Sequence, residues 1–295
     1  MIKCLILANS FKEHSQILAQ EIKSFLCERK VRAEIFTYNG KDAECRNCES
    51  REAVLSSGME VPFKDFDFAV TLGGDGTVLF AGRGCAPLGI PVFPVNLGEF
   101  GFLAAVQKEN WQEELVSYLE GKSFISQRSL AEGEVIRNGR TAFKCTALND
   151  IIVSSHSSCG LVNLNVAYNH ALLGAFKSTG VIVATSTGST AYSAAAGGPI
   201  VDSSLDALVL TPISSFSLSA RPLVLSSQSE IAMTVLPSRV DVSLSADGQL
   251  NFPLEQGDVV IIGISKHKAR LIGSTQEKFY SALQSKLNWS GGPRA

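Results

Sequence analysis

Histidine, methionine and tryptophan are scarce in this chain, at four, three and two among 295 residues. The four histidines, His14, His156, His170 and His267, are too far apart in sequence to form a zinc-type ligand set. Charge is sparse as well: 18% of residues, 26 basic against 28 acidic, for a net of −2. That balance excludes the broad basic face that nucleic-acid binding requires, although a local patch can still hold a phosphorylated ligand. No apolar run approaches the ~18 residues of a membrane-spanning helix. The opening, Met1 to Ser10, carries one lysine and a short apolar stretch, too little for a secretory leader and suited to a first buried strand.

Seven cysteines, an odd number and scattered, read as reduced intracellular thiols, which implies a cytoplasmic protein. Cys45-Arg-Asn-Cys48 has metal or redox spacing, but it lacks a second Cys/His pair, and a loop carrying two thiols is the expectation. What is abundant is apolar residue, 45% of the chain, enough for one large or two smaller cores.

The chain changes character near its middle. Strand-like runs at Lys3–Asn9, Arg32–Tyr38, Phe66–Leu72 and Pro91–Asn96 alternate with helical spacing at Phe11–Arg29 and Asn110–Lys122. Such alternation predicts a parallel sheet covered by helices, with ligands at the carboxyl ends of the strands. From about residue 124, β-rich runs dominate: Glu132–Arg137 and Arg140–Thr146 flank the hairpin signal Asn138-Gly139. Val162–Tyr168, Val181–Thr185, Glu230–Leu236, Val240–Ser245 and Val259–Ser265 follow, and Gln276–Trp289 returns to helical spacing. The expected fold is therefore an α/β Rossmann-like domain over 1–122 and a β-rich, sandwich-like domain over 123–265. The terminal segment 266–295 is expected to pack back on the first domain.

Three segments carry candidate chemistry. Leu72-Gly73-Gly74-Asp75-Gly76-Thr77 follows a strand and precedes a helix expected from Val78. Glycines there admit close backbone approach, and N–H groups at a helix start favour phosphate. A carboxylate among them cannot bind phosphate, but it can orient or deprotonate an attacking hydroxyl. A tight turn with Asp75 as helix cap is the plain alternative. The segment is neither a Walker loop, having no Gly-Lys-Ser/Thr, nor a dinucleotide fingerprint, having no third glycine. Asn96-Leu-Gly-Glu-Phe100-Gly-Phe-Leu103 suits a ring-binding crevice, or equally a turn with core phenylalanines. Thr185-Ser-Thr-Gly-Ser-Thr-Ala-Tyr192-Ser offers hydroxyls and a tyrosine fit for ribose and adenine, before small residues expected to form a close-packed helix. A Ser/Thr-rich loop is the alternative.

In this order, Gly-Gly-Asp-Gly-Thr, Asn-x-Gly-x-x-Gly-Phe-Leu, Leu148-Asn-Asp150 and Thr-Gly-Ser-Thr-Ala-Tyr-Ser resemble the NAD kinase family. Thr211–Val224 and Asp247-Gly-Gln look like the family's later segments, so the resemblance spans about 66–250. Gly-Gly-Asp-Gly-Thr is shared with diacylglycerol and sphingosine kinases, whereas Thr-Gly-Ser-Thr-Ala-Tyr is far more specific. The resemblance implies phosphoryl transfer from ATP, another triphosphate or polyphosphate, with Mg²⁺ accompanying the donor, to the adenosine ribose 2′-hydroxyl of NAD.

It also implies roles for individual residues. Asp75 accepts the hydroxyl proton, and Gly73, Gly74, Gly76 and Thr77 lie at the phosphates. Phe100 lies near the adenine and Asn149 near the ribose, with Asn96 among the other cofactor-binding positions. Asp150, Lys177, Thr179, Thr187, Thr190, Ala191, Tyr192 and Asp247 surround NAD. No protein-held metal cluster is implied, and a homodimer or homotetramer is. Against the family pattern, Asp150 stands for glutamate, Lys177 for arginine, Thr179 for aspartate, Ser186 for proline, Ala195 for serine and Phe216 for histidine. A lipid kinase sharing the Asp75 motif, and a non-catalytic NAD(P)-binding regulator, are the competing readings.

Overall fold

The structure is a computed structural model, and it describes residues 1–38, 61–98, 101–155, 160–217, 219–287 and 289. Cys45 and Cys48 lie outside the described residues. The chain divides into two compact units with a boundary at Arg128/Ser129 and another at His267/Lys268.

The first unit runs β1 (Lys3–Asn9), α1 (Glu13–Glu28), β2 (Arg32–Tyr38), β3 (Phe68–Gly73), α2 (Asp75–Cys85), β4 (Pro91–Asn96), β5 (Val106–Gln107) and α3 (Trp111–Leu119). Every pairing of β1 to β5 is parallel, with β1 between β2 and β3, and with β4 between β3 and β5 at its end. All residues of β3 and β4 are buried, as expected of a parallel sheet with both faces covered. Ile22 and Leu26 of α1 and Trp111 and Leu115 of α3 close over Ile6, Val70 and Phe93 of the sheet.

The helix after β3 begins three residues earlier than the sequence suggests, at Asp75 itself, with Gly74 as its N-cap. The Gly-Gly step thus ends the strand and starts the helix with no loop between.

The second unit is all β apart from short turns: β6 (Ile125–Arg137), which enters it at Ser129, β7 (Arg140–Ala147), β8 (Asp150–Ser155), β9 (Val162–Tyr168), β10 (Ala171–Ser178) and β11 (Gly180–Thr185). One helical turn, α4 (Tyr192–Ala195), precedes β12 (Ala207–Ile213), β13 (Leu223–Ser226), β14 (Ile231–Val235), β15 (Val242–Ala246), β16 (Leu250–Leu254) and β17 (Val259–Ile272). One sheet has the order β10-β9-β14-β17 and the other β13-β12-β11-β8-β15-β16. Alternate residues of the strands point inward: Leu164, Val166, Ile231, Met233 and Val260 of the first sheet meet Ile151, Val153, Val183, Leu210 and Leu244 of the second in one apolar core. This is a sandwich.

Asn138 and Gly139 hold φ of 52° and 74°, both left-handed, as a two-residue hairpin turn of primed type requires. The close-packed helix expected after Tyr192 is a single turn, because Gly197 and Gly198 with Pro199 stop it. The last strand, β17, is twice the expected length: its final residues re-enter the first unit, where Arg270 and Leu271 pair in parallel with Pro91 and Val92. After it, α5 (Gln276–Leu287) buries Phe279, Ala282 and Leu283, and Lys278 donates to Glu114 of α3 at 2.7 Å.

One ion pair is critical to the sandwich. Arg137 Nε and Nη2 donate to the two oxygens of Asp258 at 2.9 and 2.7 Å, and the Asp258 side chain is 1% exposed. Truncating the arginine strands a buried carboxylate, a loss of about 3 kcal/mol. Urea denaturation of Arg137→Ala should show it, and Arg137→Lys should recover little, since an ammonium cannot form the two-pronged contact.

Candidate active site

In the first unit, the turns after β1, β3 and β4 lie at neighbouring carboxyl ends of the parallel sheet, where open α/β sheets bind their ligands. Gly73, Gly74, Asp75, Gly76 and Thr77 form the central turn and the first turn of α2, and Asn96 ends β4 beside Gly73. Asn9, which ends β1, donates from Nδ2 to Thr77 Oγ1 at 3.3 Å and accepts from Phe11 N at 2.9 Å, tying the first turn to the second. Asn96 Oδ1 accepts from Gly98 N at 3.0 Å, shaping the third. Phe100 lies outside the described residues.

The Asp75 carboxylate does not cap its own helix. Oδ2 accepts from Phe102 N at 3.0 Å, and Oδ1 from Leu103 N and Ala104 N at 3.1 and 3.0 Å. Three consecutive amides thus converge on one anion, which anchors segment 101–104 to the start of α2. Gly101 permits this contact, since a Cβ there would stand 2.2 Å from Asp75 Oδ1. The Phe102 ring lies 6.2 Å from that of Phe279, and Lys286 Nζ stands 5.4 Å from its centroid. The helix α5 therefore braces the segment that the carboxylate holds.

The second unit repeats the device. Asp247, itself at φ 52°, accepts from Leu148 N, Asn149 N and Asp150 N at 2.9, 2.7 and 3.2 Å. From the other side, Thr185 N donates to Asn149 O at 2.8 Å, and Thr185 Oγ1 donates to Leu148 O at 2.6 Å and accepts from Gly188 N at 3.0 Å. Gly188 fits because its Cα rests on the Asn149 main chain, where a Cβ would meet the carbonyl oxygen at 2.0 Å. The backbone at Asn149 is held from both sides while its side chain is only partly buried.

Thr187 is buried in the same turn, its carbonyl accepts from Thr190 Oγ1, and Ala191 and the half-exposed Tyr192 follow. Ser186, where the family has proline, staples the turn by donating to Leu205 O.

Lys177 and Thr179 are not part of this cluster. They precede β11, whose six residues, at about 3.3 Å each, separate them from Thr187. Lys177 is exposed, with its ammonium 5.5 Å from the ring centroid of Phe216, and Thr179 pairs its backbone with Ser155 and Ile213. Ala195 is exposed at the end of α4.

Asp150 departs from expectation in charge. It is 4% exposed, and burial, reinforced by the nearby Asp247 carboxylate, pushes its pKa up to about 7. The negative charge read from the sequence is thus only partly present at neutral pH.

Among the described residues, no group of three or more His, Cys, Asp or Glu side chains could hold a metal ion. Sequence reading also passes over Asn9 and Lys12. Applying the carboxyl-end rule to the first strand, and not only to the glycine-rich turns, finds both.

A Gly-Gly-Asp-Gly-Thr turn at the carboxyl edge of a parallel sheet, with a β-sandwich as the second unit, points to a phosphotransferase with a Rossmann-like domain. Residues 4–123 match the ATP-NAD kinase N-terminal domain and residues 148–274 the C-terminal domain. The NAD kinase of Treponema denticola is 42% identical over 99% of this chain and 98% of its own, and that of Desulforamulus reducens is 37% identical over 97% and 98%. The fold is shared with an Archaeoglobus fulgidus NAD kinase solved with ATP (TM-score 0.73, 24% identity, 97% of this chain and 99% of that one). It is shared too with a yeast NADH kinase solved with NADH (TM-score 0.81, 24% identity, 99% and 89%). The chain belongs to the NAD kinase family.

Two outcomes follow from the geometry. Gly101→Ala should displace the Asp75 carboxylate without removing it, and steady-state turnover should fall at least tenfold. Asp150 holds a proton that the unfolded chain releases near pH 4, so its contribution to stability is best below that pH. It falls as pH rises to about 7, by up to about 1.4 kcal/mol per pH unit. Thermal unfolding of Asp150→Asn across that range should lack this slope.

Proposed function

We propose that this protein transfers the terminal phosphoryl group of ATP to the adenosine ribose 2′-hydroxyl of NAD, giving NADP. Membership of the family across both domain models carries this reading, and the intact Gly73–Thr77 turn at the carboxyl edge of β3 supports it. Mg²⁺ enters as part of the substrate, bound to the triphosphate, and offsets charge on the transferred group. Gly73, Gly74, Gly76 and Thr77 lie at the phosphates, and Asp75 receives the hydroxyl proton. Asn149, Asp150, Asp247 and Thr187–Tyr192 form the NAD-binding face of the second unit.

Asp75 then has two tasks. Oδ1 is committed to two amides, while Oδ2 accepts one and keeps a lone pair for the ribose hydroxyl. Lys177 and Thr179, at the other end of β11, serve NAD bound to a second copy of the chain.

A homodimer or homotetramer is accordingly part of the proposal, as is a cytoplasmic setting. Exposed Leu172, Phe216 and Val224 support the assembly, since backbone hydrogen bonding of Phe216 to Lys177 brings two of these segments together. No helix among the described residues is long and apolar enough to cross a membrane.

The test is NADP formation from NAD, ATP and Mg²⁺, read with an NADP-specific dehydrogenase. Asp75→Asn should cut the rate by ~10²–10⁴. Its Nδ2 would also face the Phe102 amide, one donor against another, costing about 1–3 kcal/mol of stability. Normal turnover in that variant would remove Asp75 from the chemistry. Phosphorylation of diacylglycerol or sphingosine, with NAD untouched, would install the lipid-kinase reading instead. Tight NAD binding without turnover by the wild type would install the regulator.

A further inference from the structure

A cation stands at the same edge of the sheet with no anionic partner among the described residues. Lys12 is the N-cap of α1, three residues past the end of β1, and its side chain is exposed. Among the described residues it forms no ion pair. It does not extend into solvent away from the protein: a Cβ built on Gly98 would stand 3.8 Å from Lys12 Nζ and 3.9 Å from Asn96 Oδ1. The ammonium therefore reaches across from the β1 turn to the β4 turn, over backbone that glycine leaves bare. The β3 turn with Gly73–Thr77 lies between those two strands' ends, since β3 pairs with both β1 and β4.

The turn that carries Lys12 is fixed. Asn9 O accepts from Lys12 N at 3.1 Å and from Ser15 Oγ at 2.5 Å, and the Asn9 side chain is bonded to Thr77. The root of this lysine is thus anchored to the first turn of α2, the same turn that starts with Asp75.

Another basic residue of this unit is Arg270. It pairs with Pro91 at the amino end of β4 and donates to Gly89 O at 2.9 Å, which places it at the wrong end of the strand.

We infer that Lys12 is a binding residue for the phosphoryl donor, its ammonium contacting the polyphosphate chain where that chain crosses the ends of β1, β3 and β4. A compact point charge on a flexible stem suits a triphosphate, whose several oxygens offer interchangeable contacts. The role spans ATP and inorganic polyphosphate, because it reads only phosphate. The inference rests on the kinase reading above, and its test is designed to fail separately from it.

Binding of inorganic triphosphate with Mg²⁺, measured by calorimetry without NAD, should weaken about tenfold in Lys12→Ala and recover most of that loss in Lys12→Arg. In turnover, the KM for ATP should rise about tenfold in Lys12→Ala while that for NAD changes less than twofold. Equal triphosphate affinity in wild type and Lys12→Ala overturns the inference, as does an equal rise in both KM values. Since Lys12 is exposed, its variants should melt with the wild type, and a large drop in Tm with uniform loss of function would make the residue structural and also overturn it. A wild type that binds triphosphate through Lys12 but makes no NADP would sink the NAD kinase reading and leave this one standing.

Discussion

A carboxylate that gathers three consecutive backbone N–H groups organises this protein twice. Neutral amides left unbonded in a turn are costly, and a single anion satisfies three of them without needing a helix or a sheet. Asp75 does this for Phe102, Leu103 and Ala104, and Asp247 for Leu148, Asn149 and Asp150. In each case, residues far apart in sequence are joined at a point where regular structure stops. The loops that result are irregular yet fixed, which is what a site needs if it is to be shaped before substrate arrives.

The two anchors have different consequences for charge. Asp75 accepts from backbone amides, and its bonds explain why Gly101 cannot carry a side chain. Asp247 sits close to a second acid, Asp150, which burial already disfavours as an anion. The order given to Asn149 is thus obtained at the expense of a neighbour that must give up its charge near neutrality. Asn149 gains a main chain held on both faces, by Asp247 on one and by the Thr185–Gly188 turn on the other.

The sequence pattern reveals much of the fold because strands of a parallel sheet buried on both faces are mostly apolar: Lys3–Asn9 and Pro91–Asn96 coincide with β1 and β4. Edge and short strands leave no such trace. In β10, Ala171, Leu172 and Leu173 are exposed apolar residues with no alternation to detect, and β13 is four residues long. Helix ends go astray where tertiary bonds replace local caps, as at Asp75. The motifs mark Gly73–Thr77 in the first unit and Thr187–Tyr192 in the second because glycines and hydroxyls cluster there. Asn9 and Lys12 belong to an ordinary-looking turn, and only the pairing of β1 beside β3 brings them to the site. Family resemblance groups Lys177 and Thr179 with Thr187, whereas the six residues of β11 stand between them in one chain.

The placement of β17 has a bearing on biosynthesis. Among the described residues, the sandwich is an unbroken stretch, Ser129–His267, whereas the parallel sheet takes its last strand segment and α5 from Lys268 onward. A ribosome emitting this chain from its amino end releases every strand of the sandwich before it releases the piece that flanks β4. The unit that is begun first is completed last. Until that moment the Pro91–Val92 edge of β4 is open and Phe102 lacks Phe279 and Lys286, so the turn that Asp75 anchors is the part of the molecule that a chaperone has longest to meet.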